Sequence, residues 1–167
     1  ENTDSRGGYW SGTPEWLAQN APTVKKGKSL LLSFAQQISN SISKTLSHLP
    51  EGYHIDAFLW HQGESDSAYG PDYYENLKNV VSYVRDHLTR KTGEDYSELP
   101  FIFGSVAKSN KRYNAEVEAA MKRLASEDKN AYLIDMSKAT LLKDRLHFDK
   151  TSAEYLGKQM YEAMIQA

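Results

Sequence analysis

The stretch Phe58-Leu59-Trp60-His61-Gln62-Gly63-Glu64-Ser65-Asp66 constrains the fold most, because an apolar run passes without transition into small and hydrogen-bonding residues. His54 to Trp60 reads as a strand with apolar side chains on both faces, the pattern of a parallel strand covered by helices. In open α/β sheets the loops leaving such strands at their carboxyl ends form the ligand site, so the polar cluster His61 to Asp66 is a candidate site loop. A second cluster lies far downstream, Asp144-Arg145-Leu146-His147-Phe148. An acid and a histidine three residues apart fall on one side of a turn. The carboxylate can then hold one ring nitrogen while the other faces a substrate.

Between these clusters helices and short apolar runs alternate. Residues 1–27 are rich in Gly, Ser, Asn and Pro and show no sustained period, so they read as loop, with Tyr9, Trp10 and Trp16 available for packing. Leu31, Phe34, Ala35, Ile38, Ile42, Leu46 and Leu49 form the stripe of an amphipathic helix ended by Pro50-Glu51-Gly52. Tyr73, Leu77, Val80, Val81, Val84 and Leu88 form the next, entered at Pro71 and closed near Gly93. Phe101 to Ala107 reads as a strand, residues from Tyr113 to Leu124 as a helix, and Ala131 to Met136 as a strand. Thr151-x-x-Glu154 has the form of a capping box before a final helix carrying Leu156, Met160, Ala163 and Met164. The order α-β-α-β-α-β-α with short connections implies parallel strands joined by right-handed crossovers, a doubly wound α/β layer structure.

Composition sets bounds on function. At 167 residues the chain is read as one domain, able to bury a substantial core. The net charge of −2 gives no electrostatic support to a nucleic-acid or anionic-membrane partner. No apolar stretch approaches the ~20 residues that span a bilayer, and the N-terminus has no signal-peptide core. Zero cysteines exclude disulfides, thiol catalysis and Cys-ligated metals. His48, His54, His61 and His87 have no ligand spacing with one another or with acids, so no metal site is expected.

Trp60 to Asp66 resembles the W-x-Q-G-E-[SA]-[DN] block, and Asp144-x-x-His147-Phe148 the terminal D-x-x-H block, of the sialate O-acetylesterase and acetylxylan-esterase branch of the SGNH (GDSL-like) hydrolases. The likeness runs from about Gly27 to the C-terminus. It implies a flavodoxin-like, SGNH-type three-layer parallel sheet, with residues 28–167 as the C-terminal portion of one such domain that lacks its first strand or strands. It further implies removal of acetyl groups from a sugar or polysaccharide by a Ser-His-Asp mechanism, with an acetylated carbohydrate as partner, no cofactor, and an extracytoplasmic location. By this resemblance His147 is general base and then general acid, Asp144 orients its tautomer, and Gln62 with the Gly63 N–H supplies the oxyanion hole.

Other readings stay open at several of these residues. Glu64 either partners His147 in place of Asp144 or holds its loop in shape, and the structural role is expected. His61 sits beside Gln62 and can touch substrate. Ser65 and Asp66 are expected to fix the loop, and Trp60 to pack in the core. The nucleophile is unknown. The family's Gly-[DQ]-Ser-[NL] block is not found, and Ser5 lies in Asp4-Ser5-Arg6-Gly7, a segment that only Glu1 to Thr3 precede, with no strand to present it. Two interpretations follow from this. Either the chain is part of a longer domain, with the edge of strand 54–60 covered by residues 1–27, a second polypeptide or self-association, or it is a non-catalytic carbohydrate-binding remnant. A lipase or thioesterase of the wider superfamily is the further alternative.

Overall fold

A computed structural model describes residues 10–22 and 27–167, so Ser5 and Tyr9 lie outside the described residues. Its elements run α1 (Pro14–Gln19), α2 (Leu30–Lys44), β1 (Phe58–Trp60), α3 (Gly70–Thr92), β2 (Phe101–Gly104), α4 (Ala115–Glu127), β3 (Ala131–Ile134) and α5 (Lys150–Gln166), with single 3-10 turns at Leu46–His48 and Glu64–Asp66. The chain divides into two compact units, residues 1–56 with 75–98 and residues 57–74 with 99–167.

In the first unit the sequence reading needs two corrections. The segment expected to be loop carries the short helix α1, opened by a proline whose missing N–H costs nothing in a first turn. The stripe ending at Leu49 is not one helix either. α2 stops at Lys44, and Leu49 lies outside it, 45% exposed. The Ser29 hydroxyl caps α2 by accepting from the Leu32 N–H. Trp10 does pack, edge-on to Phe34 at 6.4 Å, and the Ser39 hydroxyl meets His87 Nε2 at 2.9 Å.

The second unit holds the sheet. Its three strands are parallel in the order β1-β2-β3, with Phe58 opposite Phe101 and Phe101 opposite Ala131. Alternation along the strands sorts side chains onto two faces. Phe58, Trp60, Phe101 and Phe103 share one, with Phe101 5.1 Å from Phe58 and stacked on Phe103 at 4.6 Å. Ala57, Ile102, Tyr132 and Ile134 share the other, packed with Met136 and with Leu156 and Met160 of α5. All four β2 residues are buried, as befits a central strand that reads as a continuous apolar run. β1 is shorter than the expected 54–60. Pairing begins only at Phe58, where its N–H meets the Pro100 carbonyl at 2.8 Å, and among the described residues no strand lies on its other side. The fold class is thus an α/β parallel sheet flanked by helices.

α5 begins two residues, about half a turn, earlier than the capping-box reading. Asp149 is its N-cap, its carboxylate accepting from the Ser152 N–H at 2.9 Å, and Thr151 already lies inside the helix. An aspartate two residues upstream of the threonine competes for the same role and, being charged, has the stronger interaction with the helix N-terminus.

Candidate active site

Every strand of a parallel sheet ends on the same rim, so the loops after β1, β2 and β3 are neighbours by construction. The first contributes His61, Glu64 and Ser65, the second Arg112, and the third Leu146, His147 and Phe148 to the wall of one open cavity of about 270 Å³. His147 and the polar cluster after β1, more than eighty positions apart in the sequence, therefore face a common space.

The acid–histidine pair sits in the third loop. His147 Nδ1 lies 2.6 Å from Asp144 Oδ2, while Asp144 Oδ1 accepts from the backbone N–H of Leu146 at 2.9 Å and of His147 at 3.1 Å. The hydrogen bond from His147, followed by these two amides, holds the Asp144 carboxyl well below the usual carboxylate range. With Nδ1–H donated to the acid, Nε2 is the ring atom left to exchange protons with a ligand. The turn that brings the two together places Arg145 at φ 56°, a left-handed conformation rare for a side chain of this size.

One side chain and one backbone bond pin this loop to the one after β2. Asn110 is 5% exposed; its amide donates to the Leu146 carbonyl at 3.0 Å and its oxygen accepts from the Arg112 N–H at 2.9 Å. The Lys111 N–H donates to the Arg145 carbonyl at 3.0 Å. The sequence reading passed over Asn110 and Arg112, because Ser-Asn-Lys-Arg after an apolar run looks like any solvated loop; its only signal was position, immediately beyond a strand's carboxyl end.

Gln62 and Gly63 occupy the same rim but not the cavity wall. The Gln62 amide nitrogen donates to Asp66, whose carboxylate is fully buried, and the Tyr73 hydroxyl donates to both the backbone and side-chain oxygens of Gln62 at 3.1 Å. Burial, then the charges of Asp66 and Glu64, push the Tyr73 hydroxyl well above its ordinary value, so it remains a donor. Tyr73, read from sequence as a core residue, thereby fixes which way the Gln62 amide points. Gly63 adopts φ 142°, and a Cβ there would approach Met121 to 2.9 Å and Val106 to 3.1 Å. Glycine is required at this position by conformation and by space.

Glu64 does not partner His147. Its carboxylate faces His61 Nε2 at 3.8 Å, and the His61 ring lies 4.9 Å from Phe148, so the first and third loops meet through an aromatic contact. Ser65 lines the cavity, whereas Ser105, buried, accepts from the Met136 N–H at 2.8 Å and is structural. Among the described residues no cluster of His, Cys, Asp or Glu is suited to hold a metal ion, and no helix is long and apolar enough to cross a membrane.

A parallel α/β sheet with an acid–histidine pair on its carboxyl rim is an arrangement compatible with hydroxyl-nucleophile ester hydrolysis. A model of the carbohydrate esterase, sialic acid-specific acetylesterase (SASA) family matches residues 17–166, and the chain belongs to that family. A solved structure of a protein from Arabidopsis thaliana is similar to 78% of the chain at 21% identity with a TM-score of 0.61, a likeness that shows the fold. The chain spans about half of that protein, 51% of its length. No curated protein matches.

Proposed function

We propose that the protein is a carbohydrate O-acetylesterase in which His147, oriented by Asp144, moves the protons of a hydroxyl-nucleophile mechanism. The observation that carries this reading is the 2.6 Å contact between His147 Nδ1 and Asp144 Oδ2 on the wall of a cavity shared with the Gln62 loop. Nε2 accepts the proton of the attacking hydroxyl as it adds to the acetyl carbonyl, and the Asp144 carboxylate stabilises the imidazolium that forms. In this reading the oxyanion is met by the Gly63 N–H and by the second N–H of the Gln62 amide, the first being held by Asp66; both residues sit on the rim beside the cavity rather than on its wall. Their orientation is set by Asp66 and Tyr73 and by the glycine-only backbone. The imidazolium then gives its proton to the sugar oxygen as the C–O bond to the acetyl carbon breaks, leaving the acetyl group on the attacking oxygen; water, deprotonated by His147, adds to that ester, and the same proton returns to the enzyme oxygen as acetate departs. None of these steps requires an organic cofactor.

Release of acetate from O-acetylated sialic acid and from acetylated xylo-oligosaccharides by the full-length protein tests the reading, with a long-chain acyl ester as comparison. Turnover of an acetylated sugar in preference to the long-chain ester supports it. Preference for the long-chain ester would move the protein to the lipase side of the superfamily. Labelling with a fluorophosphonate, followed by peptide mass spectrometry, identifies the attacking hydroxyl.

A further inference from the structure

A second cavity, of about 540 Å³, is lined in part by Arg145, two residues before His147, and is not used by the proposed acetyl transfer. Lys108, Lys138 and Arg145 line it together with Ser109 and Ser137, and no carboxylate does. Among the described residues none of the three cations lies within 4.0 Å of a carboxylate oxygen; Lys108 feels Glu118 and Lys138 feels Asp135 only at longer range. The setting makes this unusual. Six of the chain's 20 Lys and Arg residues fall within 108–112 and 137–147, against one carboxylate, Asp144, although the whole chain carries a net charge of −2. That one carboxylate is engaged by His147.

The segments that wall the cavity are tied together by two backbone bonds and one side-chain bond. The Lys108 N–H donates to the Ser137 carbonyl at 3.1 Å, the Ser109 hydroxyl to the Ala139 carbonyl at 3.3 Å, and the Lys111 N–H to the Arg145 carbonyl at 3.0 Å. Its volume is that of a small-molecule site. It also abuts the candidate active site through consecutive residues: Arg145 lines this cavity, and Leu146 and His147 line the other. A linear ligand that places one residue at His147 thus has Arg145, the nearest of the three cations in sequence, two residues away. Leu142, half exposed on the cavity wall, offers an apolar surface to the ring carbons of a sugar.

From this we infer that the cavity lined by Lys108, Lys138 and Arg145 is a subsite for a second, anionic sugar residue. The substrate is then an acidic oligo- or polysaccharide in which the acetylated residue at His147 has a carboxylate-bearing neighbour. The inference rests on the esterase reading for which end of the ligand reacts, but the anion subsite itself does not.

The test is calorimetric titration of the full-length protein with an acetyl-free oligogalacturonate, with a neutral xylo-oligosaccharide of equal length and with monomeric galacturonate. The subsite predicts that the acidic oligomer binds roughly tenfold or more tightly than the other two and weakens as salt is raised. Lys108→Gln/Lys138→Gln should lose most of that advantage. Arg145 is left in place because its left-handed backbone makes substitution a perturbation of the His147 turn. The double variant should still cleave a small activated acetate at the wild-type rate, and His147→Ala should still bind the acidic oligomer. Equal binding of acidic and neutral oligomers, equal binding of monomer and oligomer, or unchanged affinity in the double variant overturns the subsite. Loss of the esterase reading would appear instead as wild-type turnover in His147→Ala, with the binding results untouched.

Discussion

The side-chain amide of Asn110 donates to the carbonyl of Leu146 at 3.0 Å, tying the loop after β2 to the residue that precedes His147. Asn110→Ala leaves a carbonyl and the Arg112 N–H without these partners, at a cost of about 1–3 kcal/mol by denaturant unfolding. Asn110→Asp keeps the acceptor for Arg112 and loses the donor to Leu146. If the Leu146 bond positions His147, both variants lower kcat on an acetyl ester while KM changes little. Recovery of kcat in Asn110→Asp would assign the effect to the Arg112 side of the loop.

Asp144 is expected to stay ionised to a lower pH than an ordinary aspartate. Its folded pKa is depressed by His147 and two backbone amides, so the stabilisation it provides is present above the unfolded value of about 3.9 and is lost only as pH falls toward the lower folded value. Carboxyl-carbon NMR should find Asp144 still on its ionised plateau at pH about 3.9, where an unperturbed aspartate is half protonated. A midpoint there would mean that the pair does not form in solution.

Gly63→Ala should destabilise the protein by about 1–3 kcal/mol, because a Cβ meets both an unfavourable backbone conformation and the packed side chains of Met121 and Val106. A shift in the urea midpoint of Gly63→Ala with an unchanged slope measures it. No shift would show that the turn relaxes into another shape.

The start of α5 separates two residues that look alike in sequence. Asp149→Ala should cost about 1 kcal/mol and Thr151→Ala a few tenths or less, because only Asp149 caps the helix. Thermal unfolding of the pair decides between them.

These cases show what the sequence made legible. α3 was readable at both ends, since Pro71 near its start and Gly93 beyond its end, at φ 83°, are local backbone signals. The cap of α5 was misread because two overlapping patterns, Asp149-x-x-Ser152 and Thr151-x-x-Glu154, differ by one half-turn, and only the geometry of the incoming loop selects between them. β1 was read four residues too long at its start because apolar character marks burial, whereas a strand extends only as far as its partner runs beside it. In the site, Asp144, His147 and the Gln62 loop stood out because their chemistry is concentrated in short segments. Asn110, Arg112 and the orienting hydroxyl of Tyr73 did not, since each acts across a tertiary contact that no local pattern records.

The central claim is that His147 transfers the protons of ester hydrolysis, and kcat/KM of the full-length protein and its His147→Ala variant on an activated acetyl ester tests it most directly. His147→Ala should lose at least about 10⁴-fold, beyond the ~10²–10³ expected when Gln62→Ala removes one oxyanion donor. Wild-type turnover in His147→Ala would contradict it.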